Sequence, residues 1–242
     1  MSDTSPTIDW RHAPVLRTVW PVPRWLTRAL ALPLLAATIR FRIVGLEHVP
    51  ASGPLLVAAN HLHNADPLLL GLAMPRPIHF MAKRELFANP VLGWLLRRAD
   101  AFPVDRGRAD RGAIRAAEDR LQRGFAVGVF PEGTRSETGW LQPAHPGVGL
   151  LALRSGAPIL PVAISGTERL PFNGTKGRPS RDGCIGASLR VELRFGPPFT
   201  LPAEIAGRRV SSREATDEIM ETIGRLLPDA YRRSGPDAET TA

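Results

Sequence analysis

Cysteine occurs once in this 242-residue chain, at Cys184. One thiol closes no internal disulfide and builds no cysteine-based zinc site, and a reducing compartment is expected. Tyrosine also occurs once, and aromatic residues make up only 6% of the sequence. That is thin for a single-strand nucleic-acid surface, which stacks bases on rings beside its cations. No zinc-finger or RNP-like pattern is present, and no nucleic-acid partner is expected. Lysine is nearly missing, since Lys83 and Lys176 are the only two among 31 cationic residues. Neither GxxxxGK[ST] nor GxGxxG occurs, so no nucleotide-binding loop can be argued. No apolar run reaches the ~20 residues a spanning helix needs. The nearest, WLTRALALPLLAATI at 25–39, is interrupted by Arg28 and Pro33. The opening MSDTSPTIDW is polar and lacks an apolar h-region, so no secretory leader is expected.

What is present is a 43% hydrophobic chain, enough for one cored domain. Its net charge of +8 and pI near 11.1 favour an anionic partner such as a phosphorylated metabolite or an acidic membrane face. Trp10, Trp20 and Trp25 surround the 25–39 stretch together with Arg17, Arg24, Arg28, Arg40 and Arg42. Tryptophan at headgroup level and arginine toward lipid phosphate suit a helix lying on a membrane surface, on its cytoplasmic face. The same stretch also reads as a helix pair packing on the core.

Along the chain, strand and helix signals alternate. FRIVGLEHV (41–49), LLVAAN (55–60), IHFMA (78–82), AFPV (101–104), FAVGVF (125–130), PILPVAI (158–164) and SLRVELRFGP (188–197) read as strands. DPLLLGLAM (66–74), ELFANPVLGWLLRRA (85–99), ADRGAIRAAEDRLQRG (109–124), GVGLLALRSG (147–156) and SSREATDEIMETIGRLLP (211–228) read as helices. Asp66 followed by Pro67 suggests a helix cap and a proline-tolerant first position. The expected fold is α/β, a single domain with a largely parallel or mixed central sheet flanked by helices, preceded by an N-terminal amphipathic helical segment. Residues 1–40 form that segment, 41–229 the domain and 230–242 a disordered tail. The loop 165–187, rich in Gly, Pro, Arg and Ser, is long enough to be functional or mobile.

Three polar clusters follow three of these strands, where α/β folds gather active residues. NHLHNADP (60–67) crowds Asn60, His61, His63, Asn64 and Asp66 together. Asp66 can turn back onto His61, fixing its tautomer and leaving the other ring nitrogen as a general base. The same residues also fit a capped polar turn. FPVDRGR (102–108) carries Asp105 and Arg106, which fit an anion site or a surface ion pair. FPEGTRS (130–136) offers Glu132, Gly133 for close backbone approach, Thr134 and Ser136 as hydroxyl donors, and Arg135 as a planar fork for phosphate. His61, His63 and Asp66 also form a minor candidate metal set, although no metal is expected.

Taken in order, NHLHNADP, FPVDR, FPEGTRS and PILPVAI resemble the four motif blocks of the glycerolipid acyltransferase family, the lysophosphatidic acid acyltransferases. The likeness spans roughly 44–166 and includes GLEHVPASGPLLVAANH and MAKRELF. It implies transfer of a fatty acyl group from acyl-CoA or acyl carrier protein, as co-substrate and without a cofactor, to the hydroxyl of 1-acylglycerol 3-phosphate at a membrane surface. It makes His61 the base and Asp66 its orienting carboxylate, with no acyl-enzyme. Arg106, Glu132, Gly133, Thr134 and Arg135 would hold the glycerol phosphate. Lys83 would lie near the oxyanion, with Asn60 and Pro161 in supporting roles. The sequence departs from the pattern at His63, where the family often has Ser. It departs again in ADAFPVDR, and at His145 in PAHPG, near the position of a family lysine. Those departures leave another lyso-lipid or glycolipid open as acceptor.

Overall fold

Leu55–Ala59 is apolar at all five positions, and the structure buries all five. This is a computed structural model, and it describes residues 29, 30, 33, 40–90, 93, 94, 96, 101–104, 111–170, 189–202, 204, 205 and 207–232. Most of the expected N-terminal helical segment 1–40, most of 91–99, and most of the loop 165–187 lie outside the described residues.

The described strands are β1 (Arg40–Val44), β2 (Leu55–Ala59), β3 (Ile78–Lys83), β4 (Phe102–Val104), β5 (Ala126–Val129), β6 (Ile159–Ser165) and β7 (Arg190–Phe195), with a short hairpin of β8 (Glu204–Ile205) and β9 (Arg208–Arg209). The helices are α1 (Asp66–Ala73), α2 (Arg111–Gln122), α3 (Gly147–Ser155) and α4 (Ser212–Leu226). Seven strands form one sheet in the order β1-β7-β6-β2-β5-β3-β4. β6, β2, β5, β3 and β4 run parallel, whereas β7 is antiparallel to β6 and β1 is parallel to β7. The sheet is therefore mixed and mostly parallel.

β2 is buried on both faces because helices cover both. Leu55, Val57 and Ala59 pack with Leu69, Leu70 and Ala73 of α1. Leu56 and Ala58 pack with Ala117 and Leu121 of α2, Leu151 and Ala152 of α3, and Ile219 and Ile223 of α4. Hence the chain leaves β2 toward one face and leaves the neighbouring β5 toward the other. Adjacent parallel strands whose connections part in this way open a crevice at their C-terminal ends.

Local chemistry sets several boundaries. The first expected strand stops at Val44, because Gly45 turns with φ 77° and a 3-10 turn follows over Leu46–His48. A Cβ at Gly45 would lie 2.0 Å from the Phe195 carbonyl oxygen, so the site admits only glycine. Asp66 is the first residue of α1, and Ala65 occupies the cap position expected for it. α4 begins with a full capping box, Ser211 and Glu214 each accepting the other's backbone N–H. A 3-10 turn over Asp229–Tyr231 follows α4.

Candidate active site

The loop after β2 and the loop after β5 meet over the crevice, and His61 is where they join. Its ring Nδ1 lies 2.9 Å from Asp66 Oδ2, and the side chains are almost fully enclosed, at 6% and 0% exposure. The same carboxylate oxygen accepts the N–H groups of Leu62 and His63, both at 2.6 Å. Asp66 thus caps the polar loop that precedes it, and in doing so pulls that loop around the imidazole. With Nδ1 committed to Asp66, Nε2 is the nitrogen left for a substrate proton. The His61 ring also stacks on Phe130, with centroids 4.1 Å apart and planes 21° from parallel, and Phe80 stacks behind Phe130 at 6.0 Å.

The backbone of His61 is held as firmly as its ring. Its N–H donates to Glu132 Oε1 at 2.8 Å, and its carbonyl accepts from the Ser136 N–H at 2.7 Å. The other Glu132 oxygen accepts the Gln142 N–H at 3.1 Å. Glu132 therefore sits between two backbone segments, accepting one N–H from each. Ser136 is equally engaged, because its hydroxyl donates to the Trp140 carbonyl and accepts the Gly139 N–H.

The remaining expected residues divide by location. Asn60 bonds Ile164 twice, donating to its carbonyl at 2.9 Å and accepting its N–H at 2.7 Å, which ties the end of β2 to the end of β6. Gly133 turns with φ 70° against the His145 ring, Thr134 is exposed and Arg135 is half-buried on the same loop. Lys83 ends β3 and lies 3.3 Å from Glu85. Pro161 is a sheet residue, paired with Ala58, and its carbonyl accepts the Gly196 N–H. It needs no donor of its own because β7 ends opposite Val162. Arg106 lies outside the described residues. His63 does not compete for Asp66 with its ring, whose Nδ1 accepts the Ala65 N–H at 3.0 Å. Among the described residues no group of three His, Cys, Asp or Glu side chains is placed to hold a metal.

Phe130, Ser136 and Gln142 were not singled out for His61 from the sequence. Phe130 and Ser136 lie inside the FPEGTRS block, whose length was the available signal. Gln142 acts through its backbone, which its side chain does not advertise.

Residues 40–165 match the family model described as Acyltransferase. The chain is 35% identical over 126 residues to the 1-acyl-sn-glycerol-3-phosphate acyltransferase of Bacillus subtilis, a match covering 52% of this chain and 62% of that protein. It is 37% identical over 226 residues to the lyso-ornithine lipid O-acyltransferase of Pseudomonas aeruginosa, covering 89% of this chain and 85% of the relative. Among solved structures, the 1-acyl-sn-glycerophosphate acyltransferase PlsC from Thermotoga maritima aligns with a TM-score of 0.64 at 28% identity, covering 87% of this chain and 77% of that one.

Proposed function

Because the chain belongs to the acyltransferase family, matched over residues 40–165, we propose that it moves a fatty acyl group from acyl-CoA or acyl carrier protein to the free hydroxyl of 1-acylglycerol 3-phosphate, giving phosphatidic acid. The observation that carries this reading is the His61–Asp66 pair, 2.9 Å apart at the C-terminal edge of the parallel strands. The proton of the acceptor hydroxyl passes to His61 Nε2, and the oxygen attacks the thioester carbonyl carbon. Asp66 lies on the opposite ring nitrogen and stabilises the imidazolium that forms. The tetrahedral oxyanion then collapses, the C–S bond breaks, and the departing thiolate takes the proton from His61. An ester and a free thiol result, with no acyl-enzyme and no cofactor.

Arg135, with Arg106, binds the acceptor phosphate, since a guanidinium fork matches a phosphate oxygen pair. Gly133 and Thr134 let the chain approach that phosphate closely. Glu132 and Asn60 act on the protein side, bracing the His61 backbone and the β2 end. Lys83, at the C-terminal end of β3, lies toward the oxyanion. The protein works on the cytoplasmic face of the membrane, as a peripheral protein. No helix among the described residues is long and apolar enough to cross a membrane.

A second acceptor has its own support. The lyso-ornithine lipid acyltransferase aligns over 89% of this chain, and His145 stands against Gly133 where a phosphate would be received. Radiolabelled acyl-CoA offered with either lyso-lipid, and the products separated by thin-layer chromatography, decides between them. Label in phosphatidic acid confirms the first reading, and label only in the ornithine lipid replaces it with the second.

A further inference from the structure

Tyr231, the one tyrosine of the chain, lies far beyond the matched residues 40–165, in the turn after α4. Its hydroxyl donates to Glu168 Oε1 at 2.8 Å and accepts the Gly166 N–H at 3.0 Å. Its carbonyl accepts the Leu141 N–H at 3.1 Å. Gly166 holds a conformation and a close approach that a side chain would not permit. The glycine turns with φ 84°, and a Cβ there would lie 1.8 Å from the Arg190 carbonyl oxygen. The turn carrying Tyr231 is pinned as well, by Arg232, whose guanidinium donates to the Leu227 and Arg225 carbonyls and lies 3.1 Å from Asp229.

These contacts join others into a closed circuit. From His61 it runs through Glu132 to the Gln142 N–H. One peptide back, Leu141 donates to the Tyr231 carbonyl. The Tyr231 hydroxyl reaches Gly166, two residues after Ile164 in β6 and its extension. Ile164 bonds the Asn60 side chain twice, and Asn60 precedes His61. We infer that Tyr231 is a positioning residue for His61, closing a hydrogen-bonded circuit that fixes the backbone from which the imidazole projects. Burial, with the Glu168 carboxylate beside it, pushes the phenol well above its ordinary range, so the hydroxyl remains a donor across the working pH. The inference rests on the reading of His61 as the base, and its physical basis is general: displacing a reacting group by about 1 Å can cost a hundredfold in rate.

The test is Tyr231→Phe, which keeps the ring packing and removes only the hydroxyl, studied in the full chain. Acyl transfer and the His61 ring signals in histidine-labelled protein, assigned with His61→Gln, are measured side by side. The expected result is a kcat about tenfold lower with KM for donor and acceptor nearly unchanged, and a shifted His61 signal while His48, bonded to the Phe195 carbonyl, stays put. A lower melting temperature with kcat and the His61 signal both unchanged would show a merely structural tyrosine and overturn the inference. A shifted His61 signal in a protein whose wild type transfers no acyl group would sustain the positioning role and sink the proposed reaction instead.

Discussion

Glu132 holds His61 by its backbone: the carboxylate accepts the histidine N–H at 2.8 Å across 71 positions of sequence. The two residues lie in the loops that follow the neighbouring parallel strands β2 and β5, so this bond bridges the crevice at their C-terminal ends. A carboxylate with both oxygens on backbone N–H groups is ill placed to greet a phosphate, and well placed to fix a loop.

Replacing Glu132 separates the two roles. In Glu132→Gln the side-chain carbonyl keeps the bond to His61 and the amide loses the one to Gln142. In Glu132→Ala both are lost. Turnover is expected to fall modestly in the first and about a hundredfold in the second, with the acceptor KM little changed in either. Steady-state kinetics against acceptor concentration check this. A large rise in KM without loss of kcat would return Glu132 to the substrate.

Asp66→Asn tests the charge, because geometry can be preserved. The asparagine oxygen can keep all three contacts now made by Oδ2, to His61, Leu62 and His63. What disappears is the negative charge beside the imidazolium formed in the reaction. Turnover is expected to fall about a hundred- to thousandfold, less than where such a change also inverts the tautomer. Thermal unfolding by circular dichroism should remain cooperative. Near-wild-type turnover would show that the charge is idle.

Arg76 makes a prediction far from the crevice. Its buried guanidinium donates to the carbonyls of Pro50, Gly53 and Gly124, which lead into β2 and β5 at the opposite edge of the sheet. Burial lowers its pKa, and an arginine remains protonated all the same. Arg76→Met leaves those carbonyls without their donor and is expected to cost about 2–4 kcal/mol of stability. Denaturant melts should show the loss, while kcat at temperatures well below the melt is unchanged.

Much of this was legible in the sequence, for identifiable reasons. The continuous apolar runs of LLVAA and AVGV announced strands covered on both faces, and both are buried at every position. Turn and proline signals gave the helix order, hence the α/β class. Spacing allowed Asp66 to turn back onto His61 without excluding a capped polar turn, the family resemblance paired them as base and carboxylate, and they lie 2.9 Å apart. The strand order and the antiparallel pairing of β7 could not be read, because the alternation of RVELRF, buried at every second position, shows a half-buried strand without naming its neighbours. The short β8–β9 hairpin was hidden by its mere two residues per strand. Contacts made by backbone groups were equally silent. Gln142, Leu141 and the Tyr231 carbonyl act through atoms that every residue carries. The direction of Glu132 was hidden too, since a carboxylate in a loop signals neither the substrate nor the backbone it faces.

The central claim is that His61 is the base in a direct acyl transfer. The measurement is free-thiol release from a long-chain acyl-CoA by purified protein in detergent, with and without 1-acylglycerol 3-phosphate, for wild type and His61→Ala. The account predicts release that requires the acceptor and falls to background in the variant, whose unfolding temperature stays close to wild type. Acceptor-dependent release at an undiminished rate from a folded His61→Ala protein would contradict it.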